Sequence, residues 1–265
     1  MKKSNNKIQA KKRFGQNFLQ NQEVIDAIIN SVEFSGKEII EIGPGHGAIT
    51  IELAKQAKEL IAYEIDKSLI PKLENVFKNK ANVKIINQDF LEVDLNFSSK
   101  KTIIANIPYN ITSDILFKVF GKINNFETIA LMVQDEVADR IVAKSNTSDF
   151  SKLSLACQYV AEVEKMFRIH PNSFFPEPKV FSAFVIFKVK KNINQEQANI
   201  FFNFVKKCFS MKRKTFFNNL ITFLNKENVN LIFENFGLNP NVRPQQLNLE
   251  QYIQICNFVI SNKLD

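Results

Sequence analysis

Apolar positions recur along the chain in two alternating rhythms, and their order predicts an architecture before any chemistry is considered. Val24, Ile25, Ile28, Ile29 and Val32 share one face at helical spacing, so residues 21–33 read as a helix. A short apolar strand follows at Glu38–Ile42, then a Gly-rich turn and a helix over about 47–57. Further strands are predicted at Leu60–Tyr63, Val83–Ile86, Thr102–Ala105 and Ile129–Val133. Helices are predicted over about 68–79 and 135–143. Another carries Ile115, Leu116, Val119 and Phe120 behind a cap at Thr112 or Ser113. Strand then helix, repeated, requires crossover connections, and hence a mostly parallel sheet covered on both faces.

After residue 150 the rhythm changes. Strand-like runs at 158–169 and 180–189 flank Phe174-Phe175-Pro176-Glu177-Pro178 and are expected to pair as an antiparallel edge of the same sheet. Lys190 to Gln197 is polar and reads as a linker, and about 198–265 is helical by periodicity. The expected fold class is therefore α/β with a small all-α addition. The expected domains are a basic flexible arm over 1–13, an α/β domain over 14–190 and a helical domain over 191–265.

Composition adds exclusions. In 265 residues, 45% are hydrophobic and 23% charged, which is ordinary for a globular chain and excludes wholesale disorder. No window approaches the roughly 18 apolar residues of a membrane span. The basic, polar N-terminus has no apolar core of a secretory signal. Cys157, Cys208 and Cys256 stand far apart and form no cluster with His46 or His170, so neither a disulfide framework nor a metal site is expected, and a reducing cytoplasmic setting fits best.

Charge says more. Lys and Arg number 35 against 27 acids, a net +8 with a pI near 9.2. Lys2, Lys3, Lys7, Lys11, Lys12 and Arg13 crowd the first thirteen residues without an acid. Lys206, Lys207, Lys212, Arg213 and Lys214 form a second cluster. Two basic patches point to a polyanion, nucleic acid being the commonest. On charge alone, solvated lysine faces are an equal alternative.

Two motifs carry chemistry. Glu41-Ile42-Gly43-Pro44-Gly45-His46-Gly47 follows a strand and opens a helix, and its glycines let a ligand approach main-chain N–H groups. Its GxGxG spacing is one residue shorter than the dinucleotide fingerprint. Glu64 ends the next strand, where a carboxylate would take two ribose hydroxyls. Asp89 closes the third strand, where it can accept from an adenine amine. Either acid alone reads as an ordinary surface residue, but their joint placement along one crevice edge favours a cofactor site. The second motif is Asn106-Ile107-Pro108-Tyr109 after the fourth strand. Proline removes a donor, leaving the Asn106 oxygen and backbone carbonyls as acceptors, and Tyr109 offers a ring for a base to stack on.

These motifs resemble the S-adenosylmethionine-dependent adenine-N6 methyltransferases of ribosomal RNA, most closely the 16S rRNA adenine dimethyltransferases. Further matches are Lys12-Arg13-Phe14-Gly15-Gln16-Asn17-Phe18-Leu19, Phe174-Phe175-Pro176-Glu177-Pro178-Lys179-Val180, Phe209-Ser210-Met211-Lys212-Arg213-Lys214-Thr215 and Arg243-Pro244, so the resemblance spans about residues 11–262. It implies a Rossmann-like catalytic domain and S-adenosylmethionine held by Asn17, Leu19, Gly43, Gly45, Glu64, Asp89 and Asn106. Asn106, Ile107, Pro108 and Tyr109 are the implied catalytic residues, with Tyr109 and Phe174 stacking on the target base. Lys11, Lys12, Arg13, Lys179, Lys206, Lys207, Lys212, Arg213 and Lys214 are the expected RNA contacts. The implied partner is 16S rRNA in the small ribosomal subunit or its precursor, with two adjacent adenosines each receiving two methyls from a monomeric enzyme. The family departs here at Phe181, where an acid is usual, and at Met211, where a polar residue is common. A 23S rRNA adenine methyltransferase of the macrolide-resistance type shares the catalytic motifs, and a non-catalytic RNA-binding assembly factor is the rival from another class.

Overall fold

The computed structural model of the chain describes residues 15–211 and 213–264. The arm over 1–13, with Lys11, Lys12 and Arg13, and also Lys212, lie outside the described residues. In chain order the elements are β1 (Phe18–Leu19), α1 (Gln22–Ser31), β2 (Glu38–Ile42), α2 (Ala48–Leu53), β3 (Glu59–Glu64), α3 (Ile70–Phe77), β4 (Val83–Asn87), β5 (Lys101–Asn106), α4 (Thr112–Phe120) and β6 (Phe126–Gln134). They continue with α5 (Asp135–Val142), α6 (Lys152–Val160), β7 (Ala161–Ile169), β8 (Phe174–Phe175), β9 (Ser182–Val189), α7 (Gln195–Cys208), α8 (Phe216–Leu220), α9 (Lys226–Asn235) and α10 (Leu249–Ser261).

Seven strands form one sheet in the order β4-β3-β2-β5-β6-β9-β7. The pairs β2–β3, β3–β4, β2–β5 and β5–β6 are all parallel. Chain order reverses direction across β2 and β5. Open parallel sheets bind ligands at such a switch point, outside the carboxyl ends of their strands. β9 lies between β6 and β7, so the two late strands are neighbours and β7 is the edge.

Three local readings are corrected. The helix after the Gly-rich turn ends at Leu53, and residues 55 and 56 bond back as tighter turns onto the carbonyls of Glu52 and Leu53. Neither Thr112 nor Ser113 caps α4; a 3-10 turn over Tyr109–Ile111 runs straight into it, and the Thr112 hydroxyl donates to the Tyr109 carbonyl at 3.2 Å. The strand predicted from 158 begins at Ala161, because residues 152–160 are helical. Ser151 and Ser154 form a reciprocal cap there, and Leu155, Ala156, Cys157 and Val160 are fully buried.

The chain divides into two compact units. The first comprises Met1–Val119, Asn125–Asp135 and Lys165–Ile186; the second comprises Phe120–Asn124, Glu136–Glu164 and Phe187–Asp265. In the first, Ile28, Leu53, Leu60, Leu73 and Ile104 form a core with no side-chain exposure. The second takes in more than the expected residues 191–265. Its core joins Phe150 and Leu155 to Phe201, Phe216, Ile232, Tyr252 and Ile255. Gln158 donates to the carbonyls of Ile141 and Ala143, and Ser154 donates to that of Arg140, so α5 and α6 are bonded into this unit. Among the described residues no helix is long and apolar enough to cross a membrane.

Candidate active site

The site is built on the carboxyl ends of β2, β3, β4 and β5. Parallel register sets Ile42 against Tyr63 and Glu64 against Asn87, and pairs Ile40 with Ile103. Chemistry-bearing residues that follow these strands therefore emerge side by side. Between them lies a cleft of two lobes, about 650 Å³ and about 600 Å³, which share Gly43, Ile65 and Pro108 in their walls.

The first lobe brings together Asn17, Leu19, Gly43, Gly45, Glu64 and Asn106; the second brings in Asp89. All seven expected cofactor residues thus line one continuous cleft. Gly43, Gly45 and Gly47 have φ of 67°, 59° and 85°, a region that side chains with a Cβ rarely enter. A Cβ on Gly45 would sit 2.9 Å from the Phe18 ring, and one on Gly43 would meet nothing nearer than the Asn106 carbonyl oxygen at 3.9 Å. The turn therefore passes close under the N-terminal segment while baring backbone to the cleft. Gly45→Ala combines a left-handed strain with that clash, and is expected to destabilise the fold by about 1–3 kcal/mol and lower the melting temperature by several degrees. Thermal unfolding followed by circular dichroism measures it.

Glu64 is 3% exposed. One carboxylate oxygen accepts from the Gly45 N–H at 3.1 Å and the other from the Asp66 N–H at 2.8 Å. Burial raises its pKa, opposed by these two backbone donors. Each oxygen keeps a second lone pair, which is what two vicinal hydroxyls need. Asp89 is half-buried, and its Oδ1 accepts from the Leu91 N–H at 2.9 Å, which fixes the carboxylate at the mouth of the second lobe. Asn106 donates through Nδ2 to the Asn17 carbonyl at 3.1 Å. That bond sets the amide's orientation and leaves Oδ1 as the acceptor beside the cleft.

The N-terminal segment is tied over the strand ends at several points. Gln16 donates to Asp66 at 3.1 Å, Phe18 lies on the His46 ring with centroids 4.1 Å apart, and β1 pairs antiparallel with β8. In that pairing Leu19 faces Phe174 and Phe18 faces Phe175. Phe174 is only 4% exposed and belongs to the core, whereas Phe175 is 56% exposed. Phe174, expected to stack on a target base, is thus packed into the core here, and its neighbour Phe175 is the exposed ring.

Ile107 is buried, Pro108 lines both lobes, and Tyr109 is half-buried with its hydroxyl 2.5 Å from that of the buried Ser182. His170 accepts from the Asn172 N–H and so closes a local turn. His46 lines the first lobe, and burial, with Lys72 beside it, lowers its pKa. Of the described basic candidates, Lys179, Lys206, Lys207, Arg213 and Lys214 are all exposed. The turn bearing Arg213 and Lys214 is shaped by the buried Asn219, which accepts from the Met211 N–H at 2.7 Å and donates to the carbonyls of Met211 and Thr215.

Sequence reasoning placed Glu41 at the head of the Gly-rich motif but gave it no role of its own. Glu41 lines the first lobe and is 2% exposed. Its Oε2 and the Thr50 hydroxyl are buried without a hydrogen-bond partner among the described residues. Burial pushes Glu41 up to about 8, and the Glu64 carboxylate adds to the rise. A polar atom left unpaired in a cleft wall is a place for a ligand's polar group. With the glycine cradle, this fits a cofactor carrying both an adenosine and an amino-acid moiety.

A parallel sheet with acids at two adjacent strand ends, a glycine turn before them and an Asn-Ile-Pro-Tyr corner after them defines a Rossmann-like methyltransferase. The model of the ribosomal RNA adenine dimethylase family matches residues 7–261, and the chain belongs to that family. A ribosomal RNA small subunit methyltransferase A from Mesomycoplasma hyopneumoniae (strain J) is 52% identical over 252 residues, covering 95% of this chain and 97% of the relative. The protein of the same name from Mycoplasma mobile is 43% identical over 242 residues, covering 91% and 95%. A crystal structure of a dimethyladenosine transferase from Plasmodium falciparum shares the fold with a TM-score of 0.82 at 24% identity, covering 93% of this chain and 98% of that one.

Proposed function

We propose that this chain transfers methyl groups from S-adenosylmethionine to N6 of two adjacent adenosines in the 3'-terminal stem-loop of 16S rRNA, in the cytoplasm and during small-subunit biogenesis. The observation that carries the reading is the convergence of Gly43, Glu64, Asp89 and Asn106 on one cleft, in a chain whose relatives bear the small-subunit name.

The fit assigns each group a task. Glu64 takes the ribose hydroxyls, Asp89 the adenine amine, and the Gly43–Gly45 backbone with Glu41 the amino-acid end. When bound, S-adenosylmethionine supplies a methyl group on a sulfonium, already an excellent leaving group. The chain's part is the acceptor. An adenine N6 lone pair is delocalised into its ring, so position is a large share of catalysis. The Asn106 Oδ1 and the Ile107 carbonyl hold the N6 hydrogens and face the positive charge that develops on nitrogen. Pro108 keeps a competing donor out of the corner. Tyr109 covers one face of the unstacked base, its ring held by Ser182, and the exposed Phe175 replaces Phe174 as the second aromatic surface.

Incubating the protein and S-adenosylmethionine with unmethylated small-subunit particles and with naked 23S rRNA, then digesting the RNA for mass spectrometry, tests the reading. Dimethyladenosine is expected in 16S rRNA alone. Its appearance only in 23S rRNA would shift the target, and cofactor binding without any methylation would leave an assembly factor.

The exposed lysines and arginines contact phosphates, so RNA affinity should fall steeply with salt. Replacing both Arg213 and Lys214 by Gln is expected to reduce the slope of log K against log salt by about two, without changing which adenosines are methylated. Filter binding across a salt series measures the slope.

A further inference from the structure

Beside the catalytic corner lies a cluster that the mechanism above does not use. Arg168, on β7, stacks its guanidinium on Phe181, with Cζ 3.6 Å from the ring centroid. Its Nε pairs with Asp135 Oδ2 at 2.8 Å. The other Asp135 oxygen takes Lys165 Nζ at 2.7 Å, and the Asp135 N–H donates to the Phe181 carbonyl at 3.0 Å. His170 meets the same ring edge-on, with centroids 5.1 Å apart and planes at 88°. Residues from β7, from the start of α5 and from the segment entering β9 thus hold one guanidinium flat against one ring.

An exposed Arg–Asp pair contributes little to stability. What this arrangement does achieve is orientation. The Arg168 side chain is 57% exposed, and its pair with Asp135 is made through Nε rather than through its two terminal nitrogens. A planar guanidinium fixed at Nε presents those nitrogens as a fork, the geometry that matches a phosphate, and it loses less freedom on binding than a mobile side chain. The location is also informative. Ser182, which holds the Tyr109 hydroxyl, directly follows Phe181. Asp135 lies three residues beyond Met132, the partner of Asn106 across β5 and β6. The fork therefore stands on the strands that follow β5, whereas the cofactor lobes are lined by residues at the ends of β2 to β5.

We propose that Arg168, held flat on Phe181 and anchored by Asp135, binds the backbone phosphate of a nucleotide flanking the target adenosine. This rests on the RNA-methylation reading and adds a contact to it. Phe181 is then a positioning residue: it gives the guanidinium a surface on which to lie flat.

Arg168→Gln in the full chain tests it, with methyl transfer to a 3'-terminal stem-loop transcript of 16S rRNA followed across a salt series. The KM for RNA is expected to rise about tenfold and the slope of log kcat/KM against log salt to fall by about one. The kcat should stay within about twofold, and S-adenosylmethionine affinity by calorimetry should not move. Arg168→Lys keeps the charge without the fork and should recover part of the KM and all of the salt slope. Phe181→Leu keeps the Asp135 pair and should raise the KM in the same direction by a smaller factor. An unchanged RNA KM and salt slope in Arg168→Gln overturns the proposal; if that variant does not fold, the same result in Phe181→Leu overturns it. A wild-type protein that binds the cofactor yet methylates no ribosomal RNA overturns the functional reading instead.

Discussion

Asn106→Ala is expected to slow methyl transfer by about two to three orders of magnitude while weakening cofactor binding by less than about tenfold. The two effects have different origins in the structure. The amide's Nδ2 is committed to the Asn17 carbonyl at 3.1 Å, so its oxygen is aimed before substrate arrives. Alanine removes an acceptor placed where positive charge appears, and water cannot restore it without reorganising. The smaller binding loss comes from slackening one tether of the segment that lines the first lobe, because Gln16 and Phe18 still hold it through Asp66 and His46. Single-turnover transfer at saturating cofactor reads the first quantity, and calorimetry reads the second. Equal losses in both would reduce Asn106 to a tether. Asn106→Asp separates the roles further: it keeps an acceptor and loses the donor to Asn17, so cofactor affinity should fall as in the alanine variant while transfer falls less.

The inner parallel strands β2, β3, β5 and β6 were legible because burial writes them as short apolar runs separated by helical spacing. Their carboxyl ends were legible for the same reason, and Glu64, Asp89 and Asn106 follow from position alone. What was not legible depends on partners distant in sequence. In α6 most positions are buried, so no polar stripe marks its period, and only the Ser151–Ser154 cap distinguishes it from a strand. Which of Phe174 and Phe175 turns inward is set by the pairing of β8 with β1, and a two-residue strand carries no alternation to read. The helical unit begins before the chain reaches residue 191 because α5 and α6 bond and pack with residues far along the chain. Glu41 opens the Gly-rich motif without an evident task; its burial beside Glu64 emerges only when β2 and β3 are laid side by side.

That burial makes Glu41 the source of the second large effect. Its carboxyl titrates near 8 in the folded protein, against an ordinary value of 4.5. The folded state therefore holds a proton that the unfolded state releases across this window. Below about pH 4 both states are protonated and the group contributes nothing. As pH rises towards 8 the unfolded chain is increasingly favoured, and above 8 the penalty is constant because both states are ionised. The span corresponds to about 5 kcal/mol lost by the cofactor-free protein between acid and alkaline solution. Glu41→Gln, which keeps shape and a donor but cannot ionise, is expected to match the wild type near pH 4 and to exceed it by up to about that amount at pH 9. Urea unfolding of both proteins across this range measures the difference, and a constant difference would remove the buried-acid account. Saturating S-adenosylmethionine should shrink the gap at pH 9, because its ammonium group would give an ionised Glu41 an opposite charge that the cleft wall itself does not supply. The same substitution should then weaken cofactor binding, so that a group costly to the free fold is retained for what it holds.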